Sequence, residues 1–144
     1  MARSPAPHSL RLPQRLARVI AREARQTGRT FSAVATEMLE EAARTRTFRH
    51  IVFTGPPGGR RASLSGVGMD VWEVVRDFRG AGGSMKRLAK ALKWVPEEKL
   101  KEALAYAAVY PEEIEERLER ESEWSPQAVR EAMPWSVPPL KGVT

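Results

Sequence analysis

The chain has 144 residues, of which 42% are apolar and 29% charged, and this is enough for one domain or two small ones. The net charge of +6 is uneven: residues 1–50 carry a net +6 and residues 101–144 a net −4, so the N-terminal part suits a polyanion. The absence of cysteine excludes disulfides and zinc–thiolate sites, and the two histidines lack the spacing of metal ligands. No apolar stretch approaches the roughly 20 residues that span a bilayer. We therefore expect a cytoplasmic protein with no membrane segment.

The first elements are an arm and a short strand. Residues 1–8 contain two prolines and almost nothing apolar, which predicts a disordered arm. Over residues 9–13, polar and apolar side chains alternate with a period of two. This predicts a strand with its two leucines on one face and with Ser9 and Arg11 on the other.

Two helices follow the strand. Residues 14–26 carry an apolar stripe and a second, basic stripe that consists of Arg15, Arg18, Arg22 and Arg25. Gly28 is a typical helix end, and Thr30 is a typical N-cap for a helix over about 31–45. We expect that second helix to bury Phe31, Val34, Ala35, Met38, Leu39 and Ala42.

The remaining chain predicts a small mixed unit. A polar linker over 46–50 precedes two strand candidates, at 51–53 and 60–64. Helices are then predicted at 70–80 and 85–93, from Pro96, and from Pro111. The last of these is rich in glutamate, and we expect it to be solvated. The fold class is therefore mainly α.

No segment predicts catalysis. The glycine-rich loop over 55–60 lacks the Lys-Ser/Thr of a phosphate-binding loop, and the glycines over 80–83 follow a helix rather than a strand. Acid pairs such as Glu97 and Glu98 stand at helix starts, where the helix dipole explains them. We expect no enzyme activity, no cofactor and no metal site.

The first fifty residues are too short to bury their apolar stripes alone. Two copies with antiparallel strands would bury those stripes together and would present Ser9 and Arg11 from each chain on one surface. A two-stranded ribbon of this kind fits the DNA major groove. The helix that Thr30 caps has free N–H groups suited to a phosphate. The alternative is an arginine-rich amphipathic hairpin with a merely solvated basic face.

Residues 8–45 resemble the ribbon-helix-helix (MetJ/Arc/CopG-type) family of DNA-binding antitoxins and repressors. The resemblance rests on Ser9-Leu10-Arg11-Leu12-Pro13, on Gly28-Arg29-Thr30-Phe31-Ser32 and on their spacing. It implies a homodimer that binds operator DNA. This chain departs from the family at Pro7, where a further groove-reading side chain is usual. The candidate DNA-binding residues are Ser9, Arg11, Arg3, Thr30, Phe31, Ser32 and Arg18.

About half of the chain, within residues 48–120, is similar to domain-of-unknown-function family four-three-three, a small winged-helix-like domain found with antitoxins. The matching pieces are Gly59-Arg60-Arg61-Ala62, Asp70-Val71-Trp72-Glu73-Val74-Val75, Gly82-Gly83-Ser84, Ala103-Leu104-Ala105-Tyr106 and Tyr110-Pro111-Glu112-Glu113-Ile114. The resemblance implies pairing with a PIN-like ribonuclease toxin.

Charge argues against DNA binding through the recognition-position helix of this second domain. Glu97, Glu98 and Glu102 would face phosphates. The preceding helix offers cations that could contact the backbone but are more simply a solvated face, namely Lys86, Arg87, Lys90 and Lys93. We therefore expect a protein-interaction or dimerisation role for this domain.

The tail over 122–144 combines four prolines with two tryptophans and cannot form one continuous helix. It is either a disordered end or a segment that folds on a partner, with Trp124 and Trp135 as anchors. PIN-like toxins have an acidic metal site, so the resemblance implies that a tail cation blocks it. The available cations are Arg130 and Lys141.

These observations predict an antitoxin with four parts: an arm (1–8), a ribbon-helix-helix dimerisation and DNA-binding domain (9–46), a winged-helix-like domain (47–121) and a toxin-binding or disordered tail (122–144). It would neutralise a PIN-like ribonuclease by direct binding and repress its own operon. The alternatives are a ribbon-helix-helix repressor without a toxin partner, and an interaction or scaffold protein without a sequence-specific DNA role.

Overall fold

The structure, a computed structural model, describes residues 6–123, residue 128 and residues 131–132. In this part the chain is mainly helical and has one small antiparallel sheet of three strands, which lie side by side in chain order. In chain order the elements are α1 (Gln14–Thr27), α2 (Phe31–Thr47), β1 (Ile51–Thr54), β2 (Arg61–Leu64), β3 (Met69–Asp70), α3 (Val71–Gly80), α4 (Met85–Ala91), α5 (Glu97–Val109) and α6 (Pro111–Glu123).

The turn between α1 and α2 is formed as the sequence predicts. Gly28 has φ 65° and ends α1 in the left-handed conformation that glycine adopts at low cost, and its N–H bonds the carbonyl of Ala24. The Thr30 hydroxyl accepts a hydrogen bond of 3.0 Å from the N–H of Ala33. Both caps fix the short turn between the two helices, which pack against each other.

The strand predicted at residues 9–13 is absent from the single chain. Residues 6–13 lie in neither a helix nor a strand. The three strands that do form all lie within residues 51–70, and residues 6–13 pair with none of them. An extended segment forms a strand only where it has a ladder partner, and this segment has none among the described residues.

The sheet is a hairpin with a short third strand. Ile51 pairs with Leu64 and Thr54 with Arg61, whereas the two residues of β3, which the sequence pattern did not predict, pair with Ser63 and Leu64. Gly55 in the hairpin loop has φ 101°, and a Cβ there would collide with the carbonyl oxygen of Gly59. The loop therefore requires glycine at that position.

The buried residues fall into two clusters of unequal size. We call residues 6–47 the N-terminal unit; its cluster contains only Ile20, Ala24 and Val34. We call residues 48–123 the C-terminal unit; its cluster contains fifteen buried residues, from Phe48 to Ile114. The C-terminal unit therefore has a complete core, and the N-terminal unit has only the beginning of one.

Two expectations about the C-terminal unit were wrong. The polar linker predicted at 46–50 does not exist, because α2 continues to Thr47 and Phe48 is buried in the C-terminal core. The glutamate-rich helix α6 is not free in solvent, because it contacts α3 and buries Ile114. Both differences come from packing against residues distant in the sequence, which local composition does not report.

Candidate nucleic-acid interface

An open apolar groove of about 490 Å³ runs along the N-terminal unit. Alternate residues of the extended segment line it, namely His8, Leu10 and Leu12. The facing wall comes from both helices of the hairpin and includes Leu16, Ile20, Phe31, Ala35, Met38 and Leu39. The period of two predicted for this segment is thus present in its side-chain directions, although no strand is formed.

The exposed apolar side chains of the protein are concentrated around this groove. Seven large apolar side chains are exposed in the part of the chain that the structure describes. Five of them belong to the N-terminal unit, namely Leu10, Leu16, Val19, Phe31 and Leu39, and all of these except Val19 line the groove. Leu10 is 68% exposed and Leu39 59%, so side chains predicted to be core residues lie open to solvent in the single chain.

The polar residues of the extended segment do not line the groove. Ser9 and Arg11 are exposed, and neither contributes to the groove lining. The alternation of the segment therefore separates an apolar side from a polar side that carries both predicted base-reading residues.

The basic stripe on α1 is also free of counter-charges. All four members are exposed, and within residues 6–123 no acidic side chain lies within ion-pair distance of Arg15, Arg18, Arg22 or Arg25. By contrast, Arg29 in the turn is held by Glu37 at 3.1 Å. Most of the free positive charges of this unit therefore lie on the surface of α1 and on Arg11.

The predicted residues at the start of α2 have different roles. The Thr30 side chain is used as the cap of the helix. The side chain of Phe31 is 41% exposed and lines the apolar groove, so it belongs to the apolar surface rather than to a phosphate contact. Ser32 is exposed and touches the rim of the same groove. What this site can offer a phosphate is the backbone N–H groups of the first turn.

Five predicted site residues lie outside the described residues. They are Arg3 of the arm and the tail residues Trp124, Arg130, Trp135 and Lys141. Their proposed contacts with DNA or a toxin stay predictions.

The predicted recognition-position helix, α5, is less acidic towards solvent than the sequence indicated. Glu97 and Glu98 are exposed in its first turn. Glu102 instead turns inward, where its Oε2 accepts a hydrogen bond of 2.9 Å from the N–H of His50. The expectation that all three carboxylates face outward was therefore wrong for Glu102.

A partly buried polar cluster that the sequence reasoning missed joins the two units. Arg44 of α2 donates hydrogen bonds of 3.0 Å to the hydroxyl of Tyr106 and 2.7 Å to Glu113, and its guanidinium lies 3.8 Å from the ring centre of Tyr110. Tyr106 is fully buried in α5 and also donates to Glu113 at 3.0 Å. The only sequence signal was a set of polar and aromatic residues at i, i+4 and i+7 over 106–113.

The described residues contain no group of three or more His, Asp or Glu side chains that could hold a metal ion. A cavity of about 240 Å³ between the β1–β2 hairpin and α6 is lined by Trp72 and four arginines. Each of these arginines is ion-paired with a carboxylate: Arg60, Arg61, Arg117 and Arg120. None of the helices described here is both long and apolar enough to cross a bilayer.

Comparison with known proteins found no family model, curated protein or solved structure that matches the chain. The functional argument therefore rests on the residues and on their geometry, and both family resemblances stay hypotheses.

Proposed function

We propose that this protein is a homodimeric antitoxin that binds operator DNA through its N-terminal unit and a PIN-like ribonuclease toxin through the rest of the chain. The observation that carries the proposal is the concentration of exposed apolar side chains around one groove in a unit that has only three buried core residues. The DNA-binding part has the strongest support, and the toxin-binding part rests on the resemblance.

A second copy of the chain is the occupant that best fits the groove. The extended segment has an unpaired backbone and an apolar side, so a twin segment would supply both a strand partner and a cover. Burying one exposed leucine or phenylalanine contributes about 1.5–3 kcal/mol. Closing the four exposed side chains that line the groove in each chain, Leu10, Leu16, Phe31 and Leu39, in one two-fold interface would compensate for the small core of a single unit.

The DNA-binding role follows from the polar side of the same segment. Antiparallel pairing would place Ser9 and Arg11 of both chains on one two-stranded ribbon, which matches the width of the major groove. Arginine is the commonest bidentate reader of guanine. The free arginines of α1 supply further positive charge for the phosphate backbone.

The toxin-binding role would belong to the C-terminal unit and the tail. The acidic C-terminal third of the chain, at net −4, is a poor DNA ligand. A winged-helix-like fold of the C-terminal unit is consistent with its element order, in which a small sheet precedes the consecutive helices α4 and α5 in the chain. The second candidate function, a ribbon-helix-helix repressor without a toxin, uses the same groove and ribbon and differs only in the role of these later residues.

The deciding experiment has two parts. Full-length protein is titrated against DNA from upstream of its gene, with bulk DNA as competitor, and it is co-expressed with the product of the adjacent gene. Preferential binding to upstream DNA together with co-purification of a small ribonuclease is the expected result. Specific DNA binding without a co-purifying neighbour would favour the repressor, and equal binding to upstream and bulk DNA would contradict both functions.

A further inference from the structure

Most cations of the C-terminal unit have a partner. Within residues 51–123, seven basic side chains are ion-paired: Arg60, Arg61, Arg76, Arg79, Lys101, Arg117 and Arg120. Lys99 donates a hydrogen bond of 2.6 Å to the carbonyl of Ser65. The cations of the C-terminal unit with neither kind of partner are Arg49, in the turn before β1, and a group of four on α4 or just after it: Lys86, Arg87, Lys90 and Lys93.

The sequence of α4 concentrates like charges rather than pairing them. Helix Met85–Ala91 contains no acidic residue, and Lys86 and Lys90 stand at i and i+4, with a rise of about 6 Å between them. Like charges at this spacing destabilise a helix by a few tenths of a kcal/mol. Helix α6, by contrast, pairs Arg117 with Glu121 and Arg120 with Glu116 at the same spacing.

The charged face is held rigidly against the core. Leu88 of α4 and Leu92, which follows the helix directly, are buried, and the Ser84 side chain caps the helix by accepting a hydrogen bond of 3.2 Å from the N–H of Arg87. The four cations are all exposed. Three of the four cations therefore lie on one capped and packed helix, and Lys93 follows in the turn after it.

An exposed tryptophan borders this surface. Trp94 is 61% exposed between two buried residues, Leu92 and Val95, whereas the other described tryptophan, Trp72, is half-buried and donates to Asp70. A tryptophan presents both an apolar ring and a single N–H donor, which suits a sugar and a phosphate oxygen of a nucleic-acid backbone.

We propose that the α4 surface, defined by Lys86, Arg87, Lys90, Lys93 and Trp94, is a second DNA contact that grips the phosphate backbone of the duplex outside the site read by the ribbon. The inference rests on the proposed function, since the ribbon supplies the primary site. The α4 surface would contact only the DNA backbone. Glu97 and Glu98 at the start of α5 would repel the phosphates and keep that helix out of the major groove, so this unit would not read bases.

Duplex DNA fits this surface better than a membrane does. The patch has one exposed apolar side chain, whereas a membrane-bound helix needs a continuous apolar face. The connection between the two units is also tight. Helix α2 enters the C-terminal unit without a spacer, and Arg44 donates hydrogen bonds to Tyr106 and Glu113 across the junction. The α4 surface is therefore carried at a fixed position relative to the arginines of the N-terminal unit.

The test compares two triple variants of the full chain that lose the same charge. The α4 variant is Lys86→Gln, Lys90→Gln and Lys93→Gln, and the control is Arg79→Gln, Lys101→Gln and Arg120→Gln, which removes exposed but ion-paired cations of the same unit. Affinity for an operator-centred duplex of about 40 base pairs is measured from about 50 to 200 mM salt. The salt slope of the α4 variant should fall by about one for each phosphate that is no longer neutralised, or roughly three to six per dimer, and its affinity by at least about tenfold.

The second readout is the fluorescence of Trp94. DNA should protect part of the wild-type emission from acrylamide, and Trp94→Phe should remove that protection while the control variant keeps it. A salt slope of the α4 variant equal to those of the wild type and the control would overturn the inference and leave the proposed function intact. So would normal DNA binding by the α4 variant combined with loss of an acidic protein partner.

Failure of the proposed function has a different signature. If Arg11→Ala abolishes sequence preference but the salt slope still depends on the α4 lysines, the inference stands. If the wild type binds no duplex of any sequence, the proposed function and the inference both fall.

Discussion

The guanidinium of Arg44 donates a 3.0 Å hydrogen bond to the hydroxyl of Tyr106, 62 residues further along the chain. Arg44 lies near the end of the helix that forms the N-terminal groove, and Tyr106 lies at the centre of the C-terminal core. Glu113 accepts from both side chains and closes the cluster. The two units are therefore joined by a partly buried polar cluster as well as by the continuous helix α2.

This cluster should appear as an energetic coupling. Arg44→Met and Tyr106→Phe each leave a partner inside the cluster without its hydrogen bond, so each should lower the free energy of unfolding by about 1–3 kcal/mol. The double variant should lose less free energy of unfolding than the sum of the two single losses, because both substitutions break the same hydrogen bond. Urea unfolding of the four proteins measures the coupling, and strict additivity would show that Arg44 does not depend on Tyr106.

Tyr106 also predicts a pH dependence. Burial, together with the negative charge of Glu113, holds the pKa of Tyr106 well above its usual value. A raised pKa means that the stabilisation is complete below the unfolded pKa of about 10 and is lost as pH rises above it. The stability difference between the wild type and Tyr106→Phe should therefore shrink above about pH 10, and a constant difference would contradict this.

Dimerisation should depend on the apolar groove. Leu10→Arg changes a side chain that the single chain leaves 68% exposed, so the fold of one unit should survive while a charge enters the shared interface. Val109→Arg is the matched control, because Val109 is 58% exposed at the end of α5 and away from the groove. Sedimentation should show monomers for the first variant only, and a Leu10→Arg dimer would show that the groove is covered by something else.

Base reading and backbone contact should separate at two arginines. Arg11→Ala removes the proposed groove-reading side chain, so it should lower operator affinity by about 1–3 kcal/mol per chain and leave binding to bulk DNA almost unchanged. Arg18→Ala on α1 should weaken both kinds of binding alike and reduce the salt slope by about one. Equal small effects of both changes in gel-shift titrations would exclude the ribbon as the reading surface.

Acid should weaken the sheet through Asp70. Burial raises the pKa of Asp70, but hydrogen bonds from Ser63, Arg61 and Trp72 outweigh it and hold the pKa below its usual value. The stabilisation is then present above about pH 4 and is lost as pH falls through the lower folded pKa. Asp70→Asn should cost about 1–3 kcal/mol at neutral pH and progressively less below pH 4.

Asp77→Asn is the control for that experiment, since the Asp77 carboxylate pairs with the more exposed Arg76 alone. Its cost should stay under about 1 kcal/mol. Thermal unfolding across pH 2.5 to 7 measures both variants, and a cost of Asp70→Asn that does not change with pH would contradict the assignment of the charge.

The tail should serve toxin binding and not DNA binding. Deletion of residues 124–144 keeps all six helices from α1 to α6, so operator affinity should be unchanged. Neutralisation of the toxin should weaken, and Trp135→Ala should cost more than Lys141→Ala, because a tryptophan anchor is commonly worth at least about 2 kcal/mol and an exposed cation far less. Ribonuclease activity titrated with each protein is the measurement, and full inhibition by the truncated chain would assign neutralisation to the C-terminal unit.

Local signals in the sequence were sufficient where neighbouring residues decide the structure. The glycine and threonine that bound the α1–α2 turn act within four residues, and the alternation of the segment before α1 acts through backbone geometry. The two caps were predicted and confirmed, and the alternation is present in the side chains that line the groove, although the strand itself is not formed. The strand at 9–13 was not formed in one chain, because a ladder needs a partner and the segment pairs with none of the three strands of residues 51–70.

The features that the sequence did not reveal depend on distant residues. Phe48 looked like part of a polar linker, yet it is buried because its ring packs edge-on against Tyr106, with the ring centres 5.2 Å apart. Glu102 has the pattern of a surface acid, yet the N–H of His50 draws it inward. The free cations of α4 became distinct only when the partners of the other basic side chains were known.

Helix α2 runs for 17 residues, about 26 Å, from the apolar groove directly into the C-terminal core. In the proposed dimer the distance between the two C-terminal units would therefore be fixed by helix α2, because no flexible linker separates each of them from the dimer interface. A ligand with two copies of its own binding site would meet a fixed span. It would gain a high effective concentration for the second contact where its sites match that span, and almost none where they do not.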